Sequence, residues 1–196
     1  YRATSNIASV PGMKLALIAL LVTIAWGVYL GLGHSGLLVL QRPAWTNIHL
    51  MWGLLGWVGL LIVSVAYQVV PLFQITEAYP KWLTGNFAPA AFVLLLLRMI
   101  LVLAQQHFDS AAQQLTQYAI VLVDLLVSAG LVAFAWITLQ LQKKRKRKIK
   151  DSHQQFWRVA CYGLIAAVLG WWGAYTMAEP ALKELVLFLS AVLFIA

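Results

Sequence analysis

Long runs of apolar residues constrain this chain more than any other feature. Five predominantly apolar segments of 20 residues or more lie at 13–32, 47–70, 86–106, 115–141 and 156–177, and a sixth, 181–196, is still apolar where the sequence stops. A helix of about 20 such residues crosses the roughly 30 Å hydrocarbon core of a bilayer. Only 10% of the residues are charged, against about 25% in soluble domains. The sequence therefore predicts a protein that crosses a membrane several times.

The fold class follows from the backbone. Alternation with a period of two residues, the mark of a transmembrane β-barrel, is absent. Backbone groups in lipid must then pair within helices. We predict an all-α, polytopic transmembrane helical bundle of about six helices, forming a single domain over 1–196. The sixth helix is expected to be incomplete, as in a piece of a longer protein. The single cysteine, Cys161, excludes a disulfide framework within the chain.

Positive charge predicts the orientation. Seven of the fourteen basic residues lie in Lys143–Lys150, and without that run the net charge of +8 falls to +1. Because cytoplasmic loops carry the excess of Lys and Arg, we place the 143–155 loop in the cytoplasm. Eleven basic residues then lie inside and two outside. The run also fits binding to anionic lipid, whereas a charge confined to one loop gives no reason to expect nucleic acid.

Three histidines share the outer level in this topology. The outer connections are 33–46, 107–114 and 178–182, which places His34, His49 and His107 at one depth. Imidazole is the commonest protein ligand for metals, so these three are candidate metal ligands. Histidines at helix ends also serve simply as hydrogen-bonding groups of the headgroup region.

The second apolar segment contains the most specific candidate site. His49 lies half a turn inside its outer end, and Gly53 and Gly56 follow at helical spacing on the same face. Such a face leaves room for a flat macrocycle or for a closely packed helix. A neutral imidazole is the usual proximal ligand of haem iron, and its second nitrogen needs a partner. We predict Asn47 or Thr46 as that partner.

Two opposite charges form a second candidate. Arg98 lies eight residues before the end of the third segment, and Asp124 nine residues after the start of the fourth. In an antiparallel hairpin both lie about 12–14 Å deep at the helical rise. Paired charges offset part of the cost of burial, so we predict a structural ion pair. The alternatives are a proton path, or an Arg98 that binds a haem propionate.

The stretch 47–82 resembles a known group. Its residues are similar to the segment H-x-x-W-G-x-x-G-W-x-x-x-L-x-x-x-V-A-Y-Q-V-V-P-x-F of bacterial membrane proteins related to haem–copper oxidase subunit I, which include the nitric-oxide-response haem-and-copper family. There a histidine near the outer end of a helix that runs inward holds a low-spin haem, and His49 has that place. Members cross the membrane about twelve times, which implies that this chain is the C-terminal half.

The resemblance implies a haem protein, and the departures from it mean either that a missing half supplies further ligands or that the oxidase reaction has been lost. It implies a haem-binding protein of the bacterial inner membrane, with copper as a second candidate metal, in respiratory electron transfer, nitric oxide response or oxidase metal supply. The adjacent His-His pair and the His-x-His of oxygen-reducing members are absent. Reduction of oxygen or nitric oxide is therefore not expected of this chain alone. Expected partners are the lipid bilayer, anionic lipid at Lys143–Lys150, and the remaining half or other membrane subunits.

Two other functions fit the same residues. The chain could be half of a transporter or channel, with Arg98 and Asp124 lining a path and no cofactor. It could also be a non-catalytic helical subunit that packs against a partner through its glycine-rich second helix. Haem absorption in the purified protein distinguishes the first function from both of these.

Overall fold

The structure is a computed structural model that describes residues 9–37, 43–146 and 152–195. Within those ranges it is helical and contains no strand, so the predicted all-α bundle is confirmed. The elements are α1 (Val10–His34), α2 (Pro43–Met51), a π-helix (Trp52–Gly59), α3 (Leu60–Gln74), α4 (Lys81–Ala104), a short 3-10 helix (Gln105–His107), α5 (Ser110–Lys143), α6 (Ser152–Tyr175) and α7 (Pro180–Ile195).

Four helical segments in the described residues are long and apolar enough to cross a membrane. They are Val10–His34, Trp45–Gln74, Lys81–Ala104 and Ser110–Lys143. Large apolar side chains on them, such as Leu21, Val93 and Leu126, are exposed, as expected of surfaces that face lipid rather than water. The chain is a membrane protein. The fifth and sixth predicted segments form α6 and α7, and the 16 residues of α7 are fewer than the roughly 20 that a span needs.

The chain divides into two compact units. Unit 1 comprises residues 1–68 and 80–127, and unit 2 comprises residues 69–79 and 128–196. In unit 1 the buried residues of α1 are all small: Gly12, Ala16, Ala19 and Thr23. Their spacing of four, three and four places them on one face. Small side chains let neighbouring helices approach closely, so this face builds the core of unit 1.

The core of unit 1 lies between α1, the π-helix and α4. Ala19 packs there with Ile48, Trp52 and Leu95, and Trp52 meets Phe92 edge to face at 5.3 Å between ring centroids. A second layer joins Ala16 to Leu60, Ala88 and Ala91. In both layers a small residue of α1 lies against a large residue of a neighbouring helix, which lets the helices approach closely.

In unit 2, the end of α5 packs against α6. Ala135 and Leu139 of α5 pack around Cys161 of α6, and the Trp172 indole donates a hydrogen bond to the Ser128 hydroxyl at 3.1 Å. These contacts join α5 to α6 at two heights.

One predicted helix end and one predicted helix start are wrong, and each error concerns a proline that lies inside a helix. We expected Pro71 to stop the second segment, yet α3 continues to Gln74 with Pro71 inside it. We also expected Pro89 in a first turn, but α4 begins at Lys81, so Pro89 lies in its interior. Membrane helices tolerate proline where neighbouring groups and local backbone adjustments satisfy the freed carbonyl.

Candidate functional site: a histidine held between two helices

His49 is oriented by a backbone carbonyl of another helix. It lies near the end of α2 and is half-buried, and its Nδ1 is 3.0 Å from the carbonyl oxygen of Thr23 in α1. A carbonyl only accepts hydrogen bonds, so Nδ1 carries the proton in this arrangement. The lone pair of the neutral ring is then on Nε2. That nitrogen is the one available to a metal or to a hydrogen-bond donor.

A glycine that the sequence analysis missed makes room for the imidazole. A Cβ atom on Gly27 would lie 3.0 Å from Cε1 of His49 and 3.6 Å from its Nδ1. Gly27 follows Thr23 by four residues, so both lie on the face of α1 that meets the ring. No local pattern marks Gly27 as part of the site, because its role depends on the register between α1 and α2.

The ring borders an open apolar cleft of about 250 Å³. Its lining comprises Thr23, His49, Leu50, Gly53, Leu54, Trp57 and Val58. Pockets for drug-sized ligands measure about 300–1,000 Å³, so the cleft alone can cover only part of a large ligand. The arrangement offers one nitrogen ligand at the edge of an apolar surface.

The two glycines predicted below His49 differ in their surroundings. Gly53 lines the cleft. Gly56 is buried instead, and a Cβ there would lie 3.1 Å from Cβ of Ala19 and 3.5 Å from Cδ1 of Leu95. Gly56 therefore contributes to close helix packing, which was the alternative to a haem site on this face. The eight-residue π-helix that starts at Trp52 changes the spacing of side chains here and was not predicted.

Arg98 and Asp124 form an ion pair within unit 1. Nε and Nη2 of Arg98 lie 2.5 and 3.3 Å from the two carboxylate oxygens of Asp124, and the side chains are only 13% and 11% exposed. The third nitrogen, Nη1, lies 3.5 Å from Sδ of Met51. A bidentate pair of this kind is geometrically specific and leaves neither carboxylate oxygen without a donor.

The structure does not bring Arg98 to His49. Arg98 contacts Met51, and residues two apart on a helix do not face the same side. Arg98 is also absent from the lining of the cleft. The guanidinium is paired with Asp124, and the binding of Arg98 to a haem propionate stays a prediction.

The three outer histidines do not form one metal centre. His34 and His107 are exposed at the ends of their helices, and the described ranges contain no group of three or more His, Cys, Asp or Glu side chains able to hold a metal ion. The predicted imidazole partners Asn47 and Thr46 are exposed as well. Of the three histidines, His49 is therefore the one that borders the cleft, and the prediction of Asn47 or Thr46 as its partner is wrong because Nδ1 bonds to the Thr23 carbonyl.

Comparisons with protein-family models, with curated proteins and with solved structures find no match.

Proposed function

We propose that this chain is a haem-binding membrane protein in which His49 is an axial ligand of the iron. The observation that carries the proposal is the hydrogen bond between Nδ1 of His49 and the Thr23 carbonyl. Histidines that bind metals almost always have their second nitrogen fixed by such a partner. The bond selects the tautomer that carries the proton on Nδ1 and leaves the lone pair of Nε2 for the iron.

The surroundings of the ring fit a haem edge. Gly27 and Gly53 leave space beside the imidazole and in the cleft. Leu50, Leu54 and Trp57 supply the apolar surface that a porphyrin face requires. Since the cleft is open and of about 250 Å³, it would cover only part of a haem, and a further protein surface would have to complete the site.

Haem would supply one-electron chemistry at this position, with a potential set by its ligands and surroundings. The chain's own residues do the rest. The Thr23 carbonyl keeps the imidazole in one orientation and increases the basicity of Nε2, and the apolar side chains exclude water. We place the chain in respiratory electron transfer in a bacterial inner membrane, with Lys143–Lys150 on the cytoplasmic side.

The test is the visible spectrum of the protein purified from membranes of cells supplied with haem. We expect a Soret band that His49→Ala abolishes or shifts, while the variant still inserts, because one histidine contributes little to insertion. Gly27→Ala should weaken or shift the band, since its new methyl group presses on the ring.

Gly31→Ala is the matched control, because no atom lies within 4 Å of a Cβ at Gly31 on the same helix. It should leave the spectrum unchanged. A colourless wild-type protein, or an unchanged spectrum in His49→Ala, contradicts the proposal and leaves the His49–Thr23 bond as a contact that joins two helices.

A further inference from the structure

In unit 2, the connection between α3 and α4 is bonded to Thr138 of α5 and to Lys146, which follows the end of α5. The backbone N–H of Lys146 donates to the carbonyl of Ile75 at 3.1 Å. The hydroxyls of Tyr79 and Thr138 are 2.9 Å apart, and the Tyr79 ring stacks on Phe134 with 6.0 Å between centroids. Residues 75–79 therefore run beside the end of α5, held near residue 138 and near residue 146.

Gln142 lies between these two points and is unusually placed for an amide. It follows Thr138 by four residues, so it shares that face of α5. Its side chain is only 1% exposed, and within the described part of the chain neither Nε2 nor Oε1 has a hydrogen-bond partner.

Gln74 is a second buried amide with an unpartnered atom, and it lies on the α3 side of the Ile75–Lys146 hydrogen bond. It is the last residue of α3, directly before Ile75, and is 4% exposed. Its Oε1 also lacks a partner among the described residues. Two nearly inaccessible amides thus flank the point where Ile75 bonds to Lys146.

Buried amides of this kind are satisfied in native proteins by protein groups or by ordered water. The two carbonyl oxygens need a donor, and the NH₂ group of Gln142 needs an acceptor. A metal cation can coordinate the two oxygens but cannot accept a hydrogen bond from the NH₂ group, and an unprotonated anion can accept from the NH₂ group but cannot donate to the oxygens. Only a small neutral molecule that both donates and accepts satisfies all three atoms, and water is the one available at the polar end of a membrane helix.

We propose that Gln142 and Gln74 bind an internal water in unit 2, which fastens residues 75–79 to the end of α5. Burial raises the pKa of Tyr79 above its ordinary value, so its hydroxyl keeps its proton and the Tyr79–Thr138 pair is neutral. Thr138 is one helical turn from Gln142. Water and hydroxyls therefore form one uncharged polar strip along α5, beside the basic residues that follow it.

The direct test detects the water at the amide. Protein labelled with ¹⁵N-glutamine is placed in lipid nanodiscs, and magnetisation transfer from water to the side-chain NH₂ groups is recorded; the Gln142 signal is assigned by its loss in Gln142→Leu. We expect transfer at Gln142 with the sign of a long-lived bound water. Transfer from a protein side chain alone, or no transfer, overturns the proposal.

Thermal stability is an independent test, because Gln142→Leu changes Tm in opposite directions with and without a bound water. If water joins the amides, Gln142→Leu removes that link and lowers Tm by a few degrees. If the amide is dry, leucine removes a buried unpaired group and raises Tm or leaves it unchanged, which overturns the proposal. Gln140→Leu, two residues away and half-buried, is the matched control and should shift Tm less. Should Gln142→Leu fail to fold, Gln142→Glu, which keeps the shape of the side chain and removes its NH₂ group, assigns the Gln142 signal, and the wild-type spectrum then decides.

Discussion

At His49 the sequence predicts the residue, its depth and the need for a second partner, but not the partner itself. Asn47 and Thr46 are near in sequence, whereas the oxygen that accepts the bond belongs to Thr23, 26 residues earlier. Gly27 is missed for the same reason. The Thr23 carbonyl and Gly27 both reach His49 only because α1 packs against α2 in one particular register. Small residues are spread along α1, so the sequence allows several such registers.

The Arg98–Asp124 pair is the residue-scale feature that the sequence predicts best, because two charges in apolar segments have few ways to be satisfied. Asp124→Asn would leave a guanidinium 13% exposed without its counter-charge. We expect a loss of roughly 3–5 kcal/mol in the free energy of unfolding, as for other broken buried pairs. The measurement is unfolding in mixed micelles of increasing denaturing detergent.

Replacing both partners checks that the charges act on each other. Arg98→Leu/Asp124→Leu should recover much of the lost stability, because apolar residues of similar size avoid the cost of burying charge. Glu184→Gln, an exposed carboxylate on α7, is the control and should change little. If the two single variants and the double variant are equally unstable, the pair does not contribute as an ion pair.

At the scale of elements, the existence of each helix follows from apolar length, and the errors concern ends and internal irregularities. Pro71 and Pro89 lie inside helices, because membrane helices tolerate proline where neighbouring groups and local backbone adjustments satisfy the freed carbonyl. The π-helix Trp52–Gly59 has no comparable signal. Its glycines equally predict close packing, which Gly56 shows against Ala19. Since π-turns are frequent at functional sites, its position after His49 agrees with the proposed haem site.

The end of α3 contains backbone strain that a substitution can release. Ile75 has φ = 52°, the left-handed region, which is unfavourable for a β-branched residue. Its side chain is 52% exposed, so little packing is lost on truncation. We expect Ile75→Gly to raise the free energy of unfolding by about 1 kcal/mol, measured by thermal unfolding of the purified protein.

Ile75→Ala separates strain from loss of the side chain. Alanine removes the same exposed atoms but keeps a Cβ in the left-handed conformation, so it should stabilise less than glycine does. The interpretation fails if glycine is the more destabilising of the two.

For the whole molecule, composition predicts a helical membrane protein, and the four segments long and apolar enough to cross a membrane agree. The division into two units was not predicted. Residues 69–79 belong with 128–196 because Tyr79 bonds to Thr138 and Ile75 bonds to Lys146. No local pattern in 69–79 predicts these partners, since Thr138 lies 59 residues after Tyr79. Long-range pairing of this kind is the part of the fold that one sequence does not determine.

The orientation of the whole chain gives the last prediction. The distribution of eleven basic residues against two requires Lys144 inside and Ser110 outside. In a Cys161→Ala background, Ser110→Cys should react with a membrane-impermeant maleimide in intact bacterial cells, because Ser110 is exposed at the start of α5. Lys144→Cys, exposed at the other end of that helix, should react only after the membrane is opened. Ser110 is the first residue of this 34-residue helix and Lys144 directly follows its last residue, so each site is the control for the other. Labelling of position 144 in intact cells would reverse the topology and place His49 at the cytoplasmic surface.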